Sequence, residues 1–178
     1  MPKAYRRIES ISMNDNAYYI ITGFRMKGSD TIKFSFSATA ACNVLGCYTN
    51  TSAATNYSLY VGLTTAKYLR YNGGTYDSAI TINQKYDMII TPTGATGISN
   101  VTWTEKNFTS ESDLCIGTTS LNATSAKLKG TLYGDIEVVG RLKLIPCVRT
   151  SDSVVGYYDT YSSTFYEPVG SPTPGSYV

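Results

Sequence analysis

From Thr31 to Ser37 the chain alternates without exception: Ile32, Phe34 and Phe36 fall on one side, Thr31, Lys33, Ser35 and Ser37 on the other. A period of two is that of a β-strand with one face buried. The same period recurs from Lys127, where Leu128, Leu132, Ile136 and Val138 are apolar and Lys127, Lys129, Thr131, Tyr133, Asp135 and Glu137 are polar or amphipathic. Gly130 and Gly134 fall on the apolar side, where a missing side chain admits another backbone or a large ring. Val139, Gly140 and Arg141 interrupt the alternation, and Leu142, Lys143 and Leu144 restart it until Pro146 removes a ladder donor. The pattern predicts a tight β-hairpin that ends in a strand break.

Shorter runs of the same kind flank these two stretches. Residues 5–11 and 17–22 read as strands on either side of the polar turn Asn14-Asp15-Asn16, and 42–48, 57–63, 67–71, 79–82 and 85–91 follow at short intervals. Thr, Ser, Asn and Gly connections such as Asn72-Gly73-Gly74 separate them. Pro92-Thr93-Gly94 opens a loop, 98–103 and 113–117 make further strands, and a loop over 121–126 precedes the hairpin. No segment sustains a helical period; 110–114 has room for one turn at most. Closely spaced strands without intervening helices predict antiparallel sheets, and so an all-β, two-sheet sandwich. With 178 residues, one domain is the default. Pro168, Gly170, Pro172, Pro174 and Gly175 disfavour pairing, so residues 167–178 are expected to form an extended tail or docking arm behind a single domain over 1–166.

The hairpin and its exit also carry a resemblance. Leu144-Ile145-Pro146-Cys147, then Val155-Gly156-Tyr157-Tyr158-Asp159 and Thr164-Phe165-Tyr166, resemble the C-terminal end of laminin-G-like domains, which are concanavalin A-like jelly rolls. Tyr5, Ile8, Glu9 and Ser10, with Tyr18, Tyr19, Ile20, Thr22 and Gly23, are similar to the opening of the same family. Such domains recur in surface proteins of gut bacteria and in their phages. The matching motifs mark closure of the fold and carry no catalytic chemistry.

Composition narrows the chemistry. Fifteen basic and thirteen acidic residues leave a formal charge of +2, too small to steer a polyanion, so no nucleic-acid partner is expected. Lys3, Arg6 and Arg7 form the one dense basic group and read as a solvated N-terminal arm. No apolar run reaches membrane-helix length, and Met1-Pro2-Lys3 leads directly into polar sequence, so neither a membrane span nor secretion is expected. Cys42, Cys47, Cys115 and Cys147 lack paired spacing, which argues against zinc. Cys42 and Cys47 have opposite parity on one strand and are expected to face opposite sides; all four read as free, mostly buried thiols of a protein made in a reducing cytosol. Asn-x-Ser/Thr triplets at Asn50, Asn56, Asn100, Asn107 and Asn122 read as chance in a Ser/Thr/Asn-rich chain. Sixteen tyrosines against five phenylalanines suit half-buried sheet positions with one wet end, on a sheet face or an interface.

The chain has no histidine, which removes Ser-His and Cys-His nucleophilic catalysis and imidazole metal sites. What remains for an enzyme is a carboxylate pair of the glycosidase kind. Asp135 and Glu137 have the required i, i+2 spacing, yet the glucanases of this fold show three acids along such a strand and here the next same-face position is Val139. A solvated face beside Lys127 and Lys129 is the simpler reading, and no catalytic residue is assigned. Asn14, Asp15 and Asn16 read as a turn rather than a calcium site, and Asp159 as a turn cap, so neither metal nor cofactor is expected. Trp103 shares parity with Val101 and reads as core rather than as a sugar-stacking platform. The resemblance then implies a non-enzymatic module of a phage virion: a capsid decoration, head-fibre or tail-associated protein, made in the host cytoplasm, that self-associates or attaches to other virion proteins. A lectin-like module of a bacterial cell surface, binding host or environmental glycan, is the alternative, and a glycosidase the remote one.

Overall fold

Residues 1–13, 18–48, 57–62, 69–72, 74–76, 81–119 and 127–178 are described by a computed structural model. In chain order the strands are β1 (Tyr5–Arg7), β2 (Ser10–Met13), β3 (Ile20–Ile21), β4 (Ile32–Ala38), β5 (Asn43–Tyr48), β6 (Tyr57–Gly62), β7 (Leu69–Tyr71), β8 (Gly74–Tyr76) and β9 (Tyr86–Thr91). They continue with β10 (Gly94–Thr96), β11 (Val101–Thr102), β12 (Cys115–Ile116), β13 (Gly130–Val138), β14 (Leu142–Arg149), β15 (Val155–Asp159), β16 (Thr164–Tyr166) and β17 (Thr173–Pro174). Two antiparallel sheets result. One runs β11-β10-β9-β4-β13-β14-β15-β16, with β1, β2 and β17 added within it; the other runs β3-β12-β5-β6-β7-β8. No helix occurs among the described residues, as the absence of a 3.6-residue period foretold.

One apolar core lies between the sheets. Ile32, Phe34 and Phe36 of β4 and Leu132, Ile136 and Val138 of β13 enter it from the larger sheet, and Val44, Leu45, Val61 and Leu69 from the smaller. Each is at most 3 % exposed, so the alternation in β4 and β13 is a correct guide to the buried face. Gly130 lies where a Cβ would stand 2.0 Å from the Ser37 carbonyl oxygen, a close backbone approach of the expected kind.

The hairpin itself departs from expectation in a way that shapes the molecule. Val139-Gly140-Arg141 is the turn: Gly140 has φ +73°, and the Arg141 N–H donates to the Val138 carbonyl at 2.9 Å. Beyond Ile136 and Leu144 the two strands part. β13 pairs with β2 through Gly130–Tyr133, and β14 pairs with β1 through Cys147–Arg149. The hairpin is therefore a fork filled by residues 5–13. Gly134 does not admit a neighbour, since nothing lies within 4 Å of an added Cβ; it has φ +60° in a bulge. Between Tyr133 and Glu137, β13 advances four residues while β4 advances two, from Ser35 to Lys33. Two extra residues bend the strand yet preserve parity, which returns Ile136 and Val138 to the core.

Pro146 does not break its strand either. β14 runs through it, and the Pro146 carbonyl accepts from Ile8 N–H at 3.0 Å on the fork side. In an antiparallel strand the amide and carbonyl of one residue point the same way, so the missing donor falls where β14 changes partner and no bond to β15 is lost.

Four further expectations are corrected. Lys3, Arg6 and Arg7 do not form a free arm, because Tyr5–Arg7 is paired with β14. Residues 81–82 form no strand, 79–80 lying outside the described residues, whereas β8 and β10 arise from stretches read as connections. The C-terminal segment pairs despite its prolines: Thr173 and Pro174 lie opposite Ser12 and Ile11. Finally, Cys42 and Cys47 do not face opposite sides. Register slips by one residue between Asn43 and Leu45, which flips the alternation, and both join the same core. All four cysteines are buried and stand outside any disulfide, as expected.

Candidate functional site

Asp135 and Glu137 sit where the fork opens. The bulge at Gly134 disturbs the regular i, i+2 geometry, and the Asp135 carboxylate meets cations of its own chain. Asp135 accepts from the Arg7 guanidinium at 2.9 Å and lies 3.7 Å from Lys143 Nζ, which ties β1, β13 and β14 together. Glu137 stands opposite Lys143 on one neighbouring strand and Lys33 on the other. Val139, the next position, is exposed in the turn. Glycoside hydrolysis needs two carboxyl groups facing a shared substrate space; here Asp135 is held in a charge cluster with Arg7 and Lys143. Lys127 is no part of it. It is 7 % exposed, with its Nζ 3.5 Å from Thr118 Oγ1 and 4.7 Å from the centre of the Tyr19 ring. Burial pulls its pKa below the usual lysine value, and the nearby Cys115 opposes the shift.

Asp159, 2 % exposed, is the turn cap expected of it. Its Oδ1 accepts from the Lys143 and Tyr161 amides, and its Oδ2 from the Ser162 amide and hydroxyl, at 2.6–3.1 Å. Burial pushes its pKa up, and the four hydrogen bonds more than offset this, leaving the carboxyl below its ordinary value. Both oxygens are thereby committed to the chain. Asn14, Asp15 and Asn16 lie outside the described residues, as do the triplets at Asn50, Asn56 and Asn122; Asn100 and Asn107 are exposed. Among the described residues no three His, Cys, Asp or Glu side chains are grouped to hold a metal ion.

Trp103 packs against the core and is half-buried. One ring face is stacked on Tyr71 at 4.5 Å, Tyr76 lies at 5.0 Å, and the indole N–H donates to the Pro92 carbonyl at 2.9 Å. Tyr71 in turn donates to the Gly28 carbonyl at 2.9 Å, and burial pushes its pKa up to about 12. Most of the other described tyrosines are half-buried.

Two surface features had no sequence signal of their own. On the larger sheet, Tyr5 stacks on Phe165 at 5.3 Å and meets Tyr158 at 4.8 Å with its ring tilted. Arg149 lies over the Phe165 ring at 4.8 Å while pairing with Asp152 at 2.6 Å and Glu167 at 3.0 Å. Cys147, opposite Arg7 and Gly156 in the same sheet, is fully buried, and burial pushes its thiol up to about 11. At the sheet's far end an open cleft of about 390 Å³ is lined by Ile89, Thr91, Thr96, Asn100 and Thr102, among others. Register alone brings those residues together, since Ile89 lies opposite Thr96 and Gly94 opposite both Thr91 and Thr102. No protein-family model matches the chain, and no curated protein matches it.

Proposed function

We propose that the chain is a non-enzymatic jelly-roll module of the concanavalin A-like, laminin-G-like kind that works by contact, as a component of a phage virion. One observation carries the reading. Two of the stretches that resemble the family, at residues 5–10 and 144–166, lie side by side in one sheet, while the third, at 18–23, runs through β3 of the other. Tyr5 meets Tyr158 and Phe165, Arg7 pairs with Cys147, and the Ile8 amide bonds to Pro146. Motifs more than a hundred residues apart thus form one seam, as markers of fold closure should. The ion-paired state of Asp135 supports a role without hydrolysis. As a capsid decoration, head-fibre or tail-associated protein, the chain attaches to other copies or to shell proteins. Mass spectrometry of purified virions from the source, with native mass spectrometry of the isolated protein, tests this. The expected result is the chain in the particle and an oligomer in solution; a strictly monomeric protein absent from virions overturns it.

A second reading, glycan binding at a bacterial surface or during adsorption, is favoured by the β9–β11 cleft. Threonine hydroxyls and the Asn100 amide there surround the exposed Ile89, a mixture of hydrogen-bonding groups and apolar floor that suits a sugar. A glycan array decides it: a hit lost in Asn100→Ala supports binding at this cleft, and silence at millimolar glycan removes the reading.

A further inference from the structure

The C-terminal segment is held unlike any other part of the sheet. After β16 the chain leaves the larger sheet, bonds to the smaller through Val169 N–H and the Tyr19 carbonyl at 2.9 Å, and returns to lie along residues 7–12 in the fork. Gly175 N–H donates to the Ser10 carbonyl at 2.8 Å, Glu9 N–H to the Ser176 carbonyl at 2.8 Å, and Val178 N–H to the Arg7 carbonyl at 3.2 Å. Tyr177 lies opposite Ile8 and beneath the Arg6 guanidinium at 3.8 Å. Beyond Tyr166 only Pro168 and Pro172 are buried; Val169, Thr173, Pro174, Ser176, Tyr177 and Val178 are exposed. The strap is seated by main-chain bonds, two buried prolines and the Arg6–Tyr177 contact, and it lies along a segment whose Ile8 and Ile11 are fully buried.

We infer that this strap is exchangeable, so that the slot along residues 7–12 takes the C-terminal segment of a second copy. The inference names the partner and the contact for the module proposed above and rests on that reading. Main-chain bonds broken on leaving one slot are re-formed in the next, so exchange leaves the bonding nearly unchanged. What opposes it is the tether, which holds the strap at an effective concentration of order millimolar. Copies crowded side by side on a surface reach that regime, whereas dilute copies do not. The prolines favour exchange, since they keep the released segment extended and unable to pair with itself.

The test uses full-length chains. Thr173 lies opposite Ser12, so the double variant Ser12→Cys, Thr173→Cys closes a disulfide within one chain at low concentration. Equimolar Ser12→Cys and Thr173→Cys chains, mixed, concentrated and then oxidised, should give about tenfold more covalent heterodimer than either variant gives of self-dimer, rising with concentration. Heterodimer at the self-dimer background, with the double variant closing normally, overturns exchange. A double variant that fails to close overturns the seating of the strap and the inference with it. Either failure leaves the virion test standing, because presence in the particle is read independently.

Discussion

At the scale of single residues, two carboxylates carry more of the structure than the pair that first attracts attention. Asp30 is 7 % exposed and receives the Arg141 guanidinium at 2.5 and 2.7 Å and the Lys27 amide at 2.6 Å. Arg141 also covers the Phe24 ring at 4.5 Å, so the hairpin turn grips the loop before β4. Truncating Arg141 strands a buried charge. Arg141→Ala should therefore lose about 3 kcal/mol in urea melts. Arg141→Lys should recover part of that loss, having charge without the fork geometry. Asp159 offers a pH test. Its pKa is lowered in the folded state, so its stabilising contribution is complete above the unfolded value of about 4 and is lost as pH falls through the lower folded value. Asp159→Ala should be less stable than the parent at pH 7, and the gap should narrow below about pH 4. An undiminished gap in acid would mean that the loss came from packing rather than from the four hydrogen bonds.

At the scale of elements, the hairpin shows which features sequence exposes and which it hides. Alternation reports the face a side chain takes, and it does so correctly through β4 and through the bulge in β13 because two inserted residues preserve parity. It is silent about partners. Pro146 and Gly134 stand out in the sequence as irregularities, yet only pairing shows that they mark the branch of a fork, one lacking a donor where none is needed and the other bending the strand away. The same blindness explains Cys42 and Cys47, where a one-residue slip defeats parity, and the C-terminal strap, where proline is tolerated at an edge. The cleft at β9–β11 was illegible for a related reason, being made by register across three strands. Asp135 and Glu137 were legible as a spacing, but the ion pairing of Asp135 was not, because Arg7 reaches it across 128 positions of sequence. These placements separate two substitutions. Leu132→Asp buries a charge in the core and should abolish cooperative melting, while Asp135→Asn, which loses a part-exposed ion pair, and Glu137→Gln, which loses a part-exposed charge, should each cost within about 1 kcal/mol. A collapse of the Asp135→Asn melt would instead make the fork depend on that pair.

At the scale of the whole molecule, what matters is whether the two sheets are one cooperative body. Their apolar residues form a single cluster, and among the described residues further contacts besides that core join them. Leu128 N–H donates to the Gly117 carbonyl at 2.8 Å, Val169 reaches Tyr19, and Trp103, just beyond β11 of the larger sheet, stacks on Tyr71 and Tyr76 of the smaller. Trp103 is the only tryptophan, so its emission reports the joint between the sheets while far-UV circular dichroism reports the strands within them. If each sheet depends on the other to cover its apolar face, neither survives separation, and the two signals should trace one coincident urea transition. Should the tryptophan signal move first, the β7–β8 side would be a separately unfolding unit and the joint would be peripheral to the core. Phe substituted at Trp103 would then hardly shift the circular dichroism midpoint, whereas coincident transitions require that Trp103→Ala lower that midpoint, the unfolding free energy falling by about 3 kcal/mol or somewhat less for a half-buried ring.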